Sequence, residues 1–241
     1  MASKQPERRS AANSSIWSRK VQPKNRRVTQ SPIDSVFPAK TAVSNYIVVC
    51  AAGFNETIFQ RWLCDRSIPL VIEVGSGPGH FLCKLARHYD RTRFIGIDIS
   101  KERCDSAASR AASWNLTNIC IVNEEAHKFI SRCLTANSIS AVHVYFPTPY
   151  PRAIGLQKRL INSKFLAELH RILIPGGILR IATDHQEYFR DICVALRDRP
   201  WWNMPWEPPL PLEDDFNVKV GTPCEMTYYG KHQIFDLQMM K

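Results

Sequence analysis

The chain has 241 residues, 44% of them apolar and 22% charged, which suits one domain with a substantial buried core. Its eight cysteines include no C-x-x-C pair and fall mostly within apolar-periodic stretches, so a disulfide or zinc framework is excluded in favour of buried thiols in a reducing compartment. The formal charge is +10, and the longest apolar run near the start, residues 47 to 54, is too short to span a bilayer, so neither membrane insertion nor secretion is expected.

Residues 1 to 40 hold nine Lys/Arg against two acids, Glu7 and Asp34, and so carry +7 of the total. Ser, Pro, Asn and Gln are plentiful there and hydrophobics scarce, which predicts a flexible basic arm ahead of a single domain at residues 41 to 241. A polyanion is the natural partner, although a solubilising tail or an organellar transit peptide has the same composition. From Leu70 onward short β-branched runs alternate with longer helical ones. Strands are predicted at 70–74, 93–99, 118–122, 139–146 and 177–183, and helices at 80–89, 101–115, 126–134, 163–173 and 185–199. This order predicts an α/β fold: a doubly wound, Rossmann-like, mostly parallel sheet covered on both faces, with its ligand crevice at the carboxyl ends of the strands. Residues 200 to 211 contain five prolines with Trp201, Trp202 and Trp206, which forbids a regular helix there. Extended pieces are expected beyond them, at 218–220 and 233–239.

The first predicted strand contains Glu73 near its end and runs into Gly75-Ser76-Gly77-Pro78-Gly79, and the second ends at Asp98, 19 residues after Gly79. A strand, a glycine turn, a helix and a second strand ending in an acid form a nucleotide-cofactor pocket, in which the turn leaves no side chain across the ligand and the acid reaches a ribose hydroxyl pair. The spacing is G-x-G-x-G, with His80 where a dinucleotide site would continue its glycine pattern, and an acid stands two residues before Gly75. Both departures disfavour a dinucleotide and resemble the first motif of S-adenosylmethionine-dependent methyltransferases. Ile99 adjoins the acid at the same strand end. Glu124 and Glu125 follow the third strand, where a polar group meets adenine, and Glu125 with Ala126 is the better aligned pair. A charged helix start favoured by the macrodipole is the alternative for both acids.

The fourth strand leads into Phe146-Pro147-Thr148-Pro149-Tyr150-Pro151-Arg152, followed by Gln157-Lys158-Arg159. A proline-stiffened loop at the mouth of the crevice can hold a target at fixed distance from a reactive methyl, and Lys158 and Arg159 would meet phosphates unless they merely open a solvated helix. Together with Pro175-Gly176-Gly177, Ala182-Thr183-Asp184 and Thr222-Pro223-Cys224-Glu225, this loop resembles the tRNA (guanine-N7-)-methyltransferase family across roughly residues 70 to 240. The resemblance implies an S-adenosylmethionine-dependent transfer to N7 of guanosine 46 in the tRNA variable loop. It places the cofactor on Glu73, Asp98, Glu125 and Ala126, alongside Gly75, Gly77 and Gly79 of the turn and Ile99 next to the acid. It places the substrate on Arg152, Asp184, Thr222 and Glu225, to which the basic Lys158 and Arg159 just beyond the loop are added as phosphate contacts, and it implies no metal. Asp184 also opens a capping-box pattern with Glu187.

One departure from the family matters most: its loop usually reads Phe-Pro-Asp-Pro, and the candidate catalytic position here is Thr148, while Tyr150 and Arg152 stand in place of the usual Trp and Lys. Guanine N7 carries a lone pair and no proton, so a general base is dispensable in principle, while positioning supplies much of the rate. Two other readings stay open, a catalytically weak or silent tRNA-binding relative and a methyltransferase of the same fold acting on another substrate. The expected partner is tRNA, the expected location is the cytoplasm, and the alternative is an organelle after removal of the arm.

Overall fold

The computed structural model describes residues 59, 62–151, 155, 158–197 and 234–241, and the backbone alone of 47–49. The basic arm, the tryptophan-proline segment 200–211 and the extended piece expected at 218–220 lie outside these residues. The described chain runs β1 (Ile47–Val49), β2 (Leu70–Val74), α1 (His80–His88), β3 (Arg93–Asp98), α2 (Lys101–Ser113), β4 (Ile119–Asn123), α3 (Ala126–Cys133), β5 (Ile139–Tyr145), α4 (Ser163–Ile172), β6 (Leu173–Thr183), α5 (Gln186–Arg197) and β7 (Phe235–Met240).

These strands form one sheet in the order β1-β4-β3-β2-β5-β6-β7. Strands β2 to β6 are parallel, and the short β1 and terminal β7 join antiparallel at the edges. The chain steps outward from β2 through β3 to β4 and then returns to lay β5 on the other side of β2. The carboxyl ends of β2 and β5 are therefore a topological switch point, where doubly wound sheets bind ligands.

Alternation along the central strands divides the core into two layers. Ile72, Val74, Ile95, Ile97, Val142, Val144, Leu179 and Ile181 pack with α3, α4 and α5, while Val71, Phe94, Ile119, Ile121 and Ala141 pack with α1 and α2. Burial on both faces is why these strands read as continuous apolar runs, and each fully buried large side chain contributes about 1.5–3 kcal/mol. Helix α2 meets the sheet through the small residues Cys104, Ala107 and Ala111, spaced for one face. Asn162 caps α4 by accepting from the Lys164 and Phe165 N–H groups, and Ser100 caps α2 by accepting from Arg103.

Local details differ from the sequence-based expectations. Strand β1 pairs with β4 from within the run 47 to 54, which carried no strand prediction. Strand β6 starts at Leu173 instead of 177, because Pro175-Gly176-Gly177 bends within the strand and does not end it. Gly176 adopts φ +77 and its N–H donates to the Lys241 carbonyl at 2.8 Å. Cys64 is exposed, whereas Cys83, Cys104 and Cys120 are buried as expected.

Candidate cofactor pocket and proline lip

The glycine loop leaves β2 and folds over the end of β3. The N–H groups of Gly75 and Ser76 both donate to the Ile97 carbonyl, at 2.8 and 3.1 Å, and Gly79 N–H donates to the Ser76 carbonyl at 3.0 Å. Gly75, Gly77 and Gly79 have φ of +76, +53 and +72, a region that side chains other than glycine rarely adopt. A Cβ on Gly75 or Gly77 would meet nothing within 4 Å, so these positions border open space in which a ligand can lie against the backbone. A Cβ on Gly79 would stand 2.8 Å from that of Ala107, which makes this glycine the contact that seats α1 against α2.

Asp98, 5% exposed, ties the loop together: Oδ2 accepts from Gly77 N–H at 2.9 Å and Oδ1 from Ser100 N–H at 2.8 Å. The spacing predicts a ribose contact for this carboxylate; the structure shows it holding the glycine loop. Oδ1 also faces Arg103 Nε at 3.5 Å, and Oδ2 keeps a second lone pair for a ligand hydroxyl. Ile99, next in the chain, is 71% exposed, an apolar surface beside the acid.

Glu73 lies on the same sheet face as Asp98, one step back on β2, and is 3% exposed. Burial holds its carboxyl well above the ordinary carboxylate range, the negative Asp98 adds to the rise, and a bond from the Leu82 N–H opposes it. Glu73 Oε2 and the buried Ser76 Oγ have no hydrogen-bond partner. Two orphaned polar atoms beside a turn open to a ligand are the donor set that a cationic, hydroxyl-bearing cofactor would complete.

Glu125 and Ala126 sit at the start of α3 as anticipated, but the Glu125 carboxylate curls back to cap its own helix. Its oxygens accept from His127 and Lys128 N–H at 2.8 and 3.0 Å, and Glu124 Oε1 accepts from Glu125 N–H at 2.8 Å. The helix-start alternative thus describes the side chain of Glu125 as it stands.

Beyond β5 the chain enters the proline lip. Register Val74↔Val144 sets β5 beside β2, so the glycine loop and this lip leave the sheet from adjacent strand ends. Phe146 has φ +50, unusual for a bulky residue, and its N–H donates to the Ala182 carbonyl at 2.8 Å. Pro147 is buried and Thr148 exposed, so the position that carries the family's acid faces solvent at the mouth. Lys158 is exposed, and Asp184 is half-buried at the carboxyl end of β6. Arg152, Thr222 and Glu225 lie outside the described residues.

Two expectations are corrected. Arg159 does not meet solvent or phosphate: it is 3% exposed and paired with Asp191 and Glu187. The start of α5 is capped by His185, whose Nδ1 accepts from Tyr188 N–H at 3.2 Å, in place of the expected Asp184, while Glu187 reaches Arg159.

Sequence reasoning passed over Ser76, His143 and Tyr145. Register Glu73↔His143 puts His143 beside the buried acid, and its Nδ1 pairs with the Tyr145 hydroxyl at 2.8 Å. Phe81 closes the group, its ring edge-on to both at 5.3 and 5.0 Å. Burial, helped by Arg180, pushes the His143 pKa down to about 3, so the ring is neutral. A histidine inside an otherwise apolar parallel strand was the available signal. Arg110 braces the start of α1, donating to the Pro78 carbonyl at 3.1 Å and to His80 Nε2 at 3.0 Å. No group of three or more His, Cys, Asp or Glu able to hold a metal occurs among the described residues, and no helix there is long and apolar enough to cross a membrane.

Known proteins match this arrangement. A curated tRNA (guanine-N(7)-)-methyltransferase of Rubrobacter xylanophilus is 34% identical over 143 residues, 59% of this chain and 64% of the relative. One of Geobacter metallireducens is 35% identical over 125 residues, 52% of this chain and 59% of the relative. The chain thus spans under two thirds of the length of either. The crystal structure of the 16S rRNA methyltransferase KamB superposes with a TM-score of 0.55 at 14% identity, over 78% of this chain and 95% of that one, and shows the shared Rossmann-like fold. A family model described as "Putative methyltransferase" matches residues 67–207, more than half of the sequence, and the chain belongs to that family.

Proposed function

We propose that the protein is an S-adenosylmethionine-dependent tRNA (guanine-N7)-methyltransferase, forming 7-methylguanosine at position 46 of the variable loop in the cytoplasm. The observation that carries this reading is the open glycine turn flanked by the buried acids Glu73 and Asp98, set at the switch point directly beside the proline lip. The names of the curated relatives supply the substrate class.

When bound there, S-adenosylmethionine would supply an electrophilic methyl group on its sulfonium centre for guanine N7. The residues bind and orient. Gly75 and Gly77 let the cofactor lie on the backbone, Glu73 and Ser76 offer the unpaired oxygens, and Asp98 receives ribose hydroxyls on its remaining lone pairs. Ile99 and Ala126 with Glu125 would hold the adenine. No base is needed for an N7 that has no proton, so the lip works by holding guanine in line and excluding water. Thr148 offers it a hydroxyl, and Lys158, Arg152, Asp184, Thr222 and Glu225 are assigned to the RNA.

The test is transfer of labelled methyl to tRNA, followed by nuclease digestion and identification of the base and its position. Label in 7-methylguanosine from the variable loop is expected, and label in another base or a non-RNA acceptor rejects the reading. Thr148 favours one second reading, a tRNA-binding relative that transfers nothing. In the same assay it gives salt-dependent tRNA binding with no incorporated label.

A further inference from the structure

We propose that Arg159 is a positioning residue for methyl transfer: its guanidinium clamps the Tyr150 end of the proline lip onto α5, which fixes the height of the lip over the pocket. This rests on the methyltransferase reading above.

The clamp uses the whole guanidinium. Nε donates to the Tyr150 carbonyl at 2.8 Å, Nη1 pairs with Asp191, and Nη2 reaches Glu187 at 3.3 Å. The group lies over the Tyr188 ring, 4.8 Å from its centroid. Planar, fixed donors on three sides and a face for stacking are properties of arginine that a lysine ammonium lacks.

Its placement decides what the clamp holds. Downstream of the loop the chain is fixed without the guanidinium: Ile161 N–H donates to the Tyr188 hydroxyl at 2.8 Å, and the Arg159 carbonyl accepts from Asn162 Nδ2 at 3.2 Å. Upstream, Tyr150 N–H bonds the nearby Thr148 carbonyl at 3.0 Å, and it is the Arg159 bond to the Tyr150 carbonyl that ties this stretch to a helix. The same stretch begins at Phe146, whose left-handed backbone persists only where its surroundings hold it. Thr148 and Tyr150, exposed at the mouth, stand between these two anchors.

The experiment uses the full chain with Arg159→Lys and, independently, Asp191→Asn, which weakens the clamp while keeping the arginine charge. Three quantities are read: amide hydrogen exchange at Phe146, Thr148 and Tyr150 against that of β3, single-turnover methyl transfer at saturating tRNA, and the salt dependence of tRNA affinity. Exchange in the lip should rise about tenfold with β3 unchanged, and transfer should fall about 10- to 100-fold. Cofactor affinity and the salt slope should stay as in wild type. Unchanged lip exchange in both variants overturns the clamp, and so does a salt slope reduced by about one, which marks a phosphate contact. If wild type transfers no methyl, the functional reading fails while hydrogen exchange still decides the clamp.

Discussion

His143 should make the protein acid-sensitive well above the carboxylate range. Its pKa is about 3 in the fold against an ordinary 6.5, so between those values the unfolded chain binds a proton that the folded chain refuses. Stability is then full above about pH 6.5 and lost as pH falls toward 3. Between pH 7 and 5 the linkage amounts to about 2 kcal/mol, obtained from those two values for a fully buried ring. For a chain of this size that lowers the melting temperature by roughly 4–8 °C. Urea or thermal unfolding of wild type and His143→Gln at both pH values isolates the effect, since other titrating groups are common to both. The variant keeps a hydrogen-bonding group for the Tyr145 hydroxyl but has nothing to protonate. Wild type should lose about 2 kcal/mol more than the variant across this interval, and equal losses would refute the buried, neutral histidine.

Glu73 acts with the opposite sign: its raised folded pKa contributes stability below the ordinary carboxyl range that disappears as pH rises through the folded value, so the pH profile of Glu73→Gln should be flatter on the alkaline side. The same variant should bind S-adenosylmethionine at least about tenfold more weakly by calorimetry, as a charge-bearing oxygen is lost. Gly79→Ala drives a Cβ to 2.8 Å from Ala107 at positive φ and should lower unfolding stability by about 1–3 kcal/mol, measured in urea. Thr148→Asp should transfer methyl faster than wild type in single turnover, because a carboxylate offsets the charge that N7 acquires; equal rates would remove any role for charge at this position. Deleting residues 1 to 30, which hold eight Lys/Arg, should weaken tRNA binding and flatten its salt dependence without altering cofactor affinity.

The pocket was legible because its determinants are local. A glycine turn after a strand needs only consecutive residues, and the spacing to Asp98 follows from one helix and one strand; both hold in the fold. The proline lip was equally readable, since prolines stiffen a segment whatever surrounds it. Roles set by partners were not. Lys158 and Arg159 are adjacent and alike in charge, yet one is exposed and the other buried. The difference comes from Glu187 and Asp191, 28 and 32 residues further along.

The same division runs through the acids and the histidine. Sequence by itself determined the α/β architecture, the glycine turn with its flanking Glu73 and Asp98, and the proline lip that carries Thr148, because periodicity, turn chemistry and spacing act over a few residues. Tertiary structure alone decided that Asp98 locks the loop through Gly77, that His143 lies neutral beside Glu73, and that Arg159 is a strut. Burial and charge pairing depend on which strands and helices become neighbours, and that is fixed only when the sheet assembles.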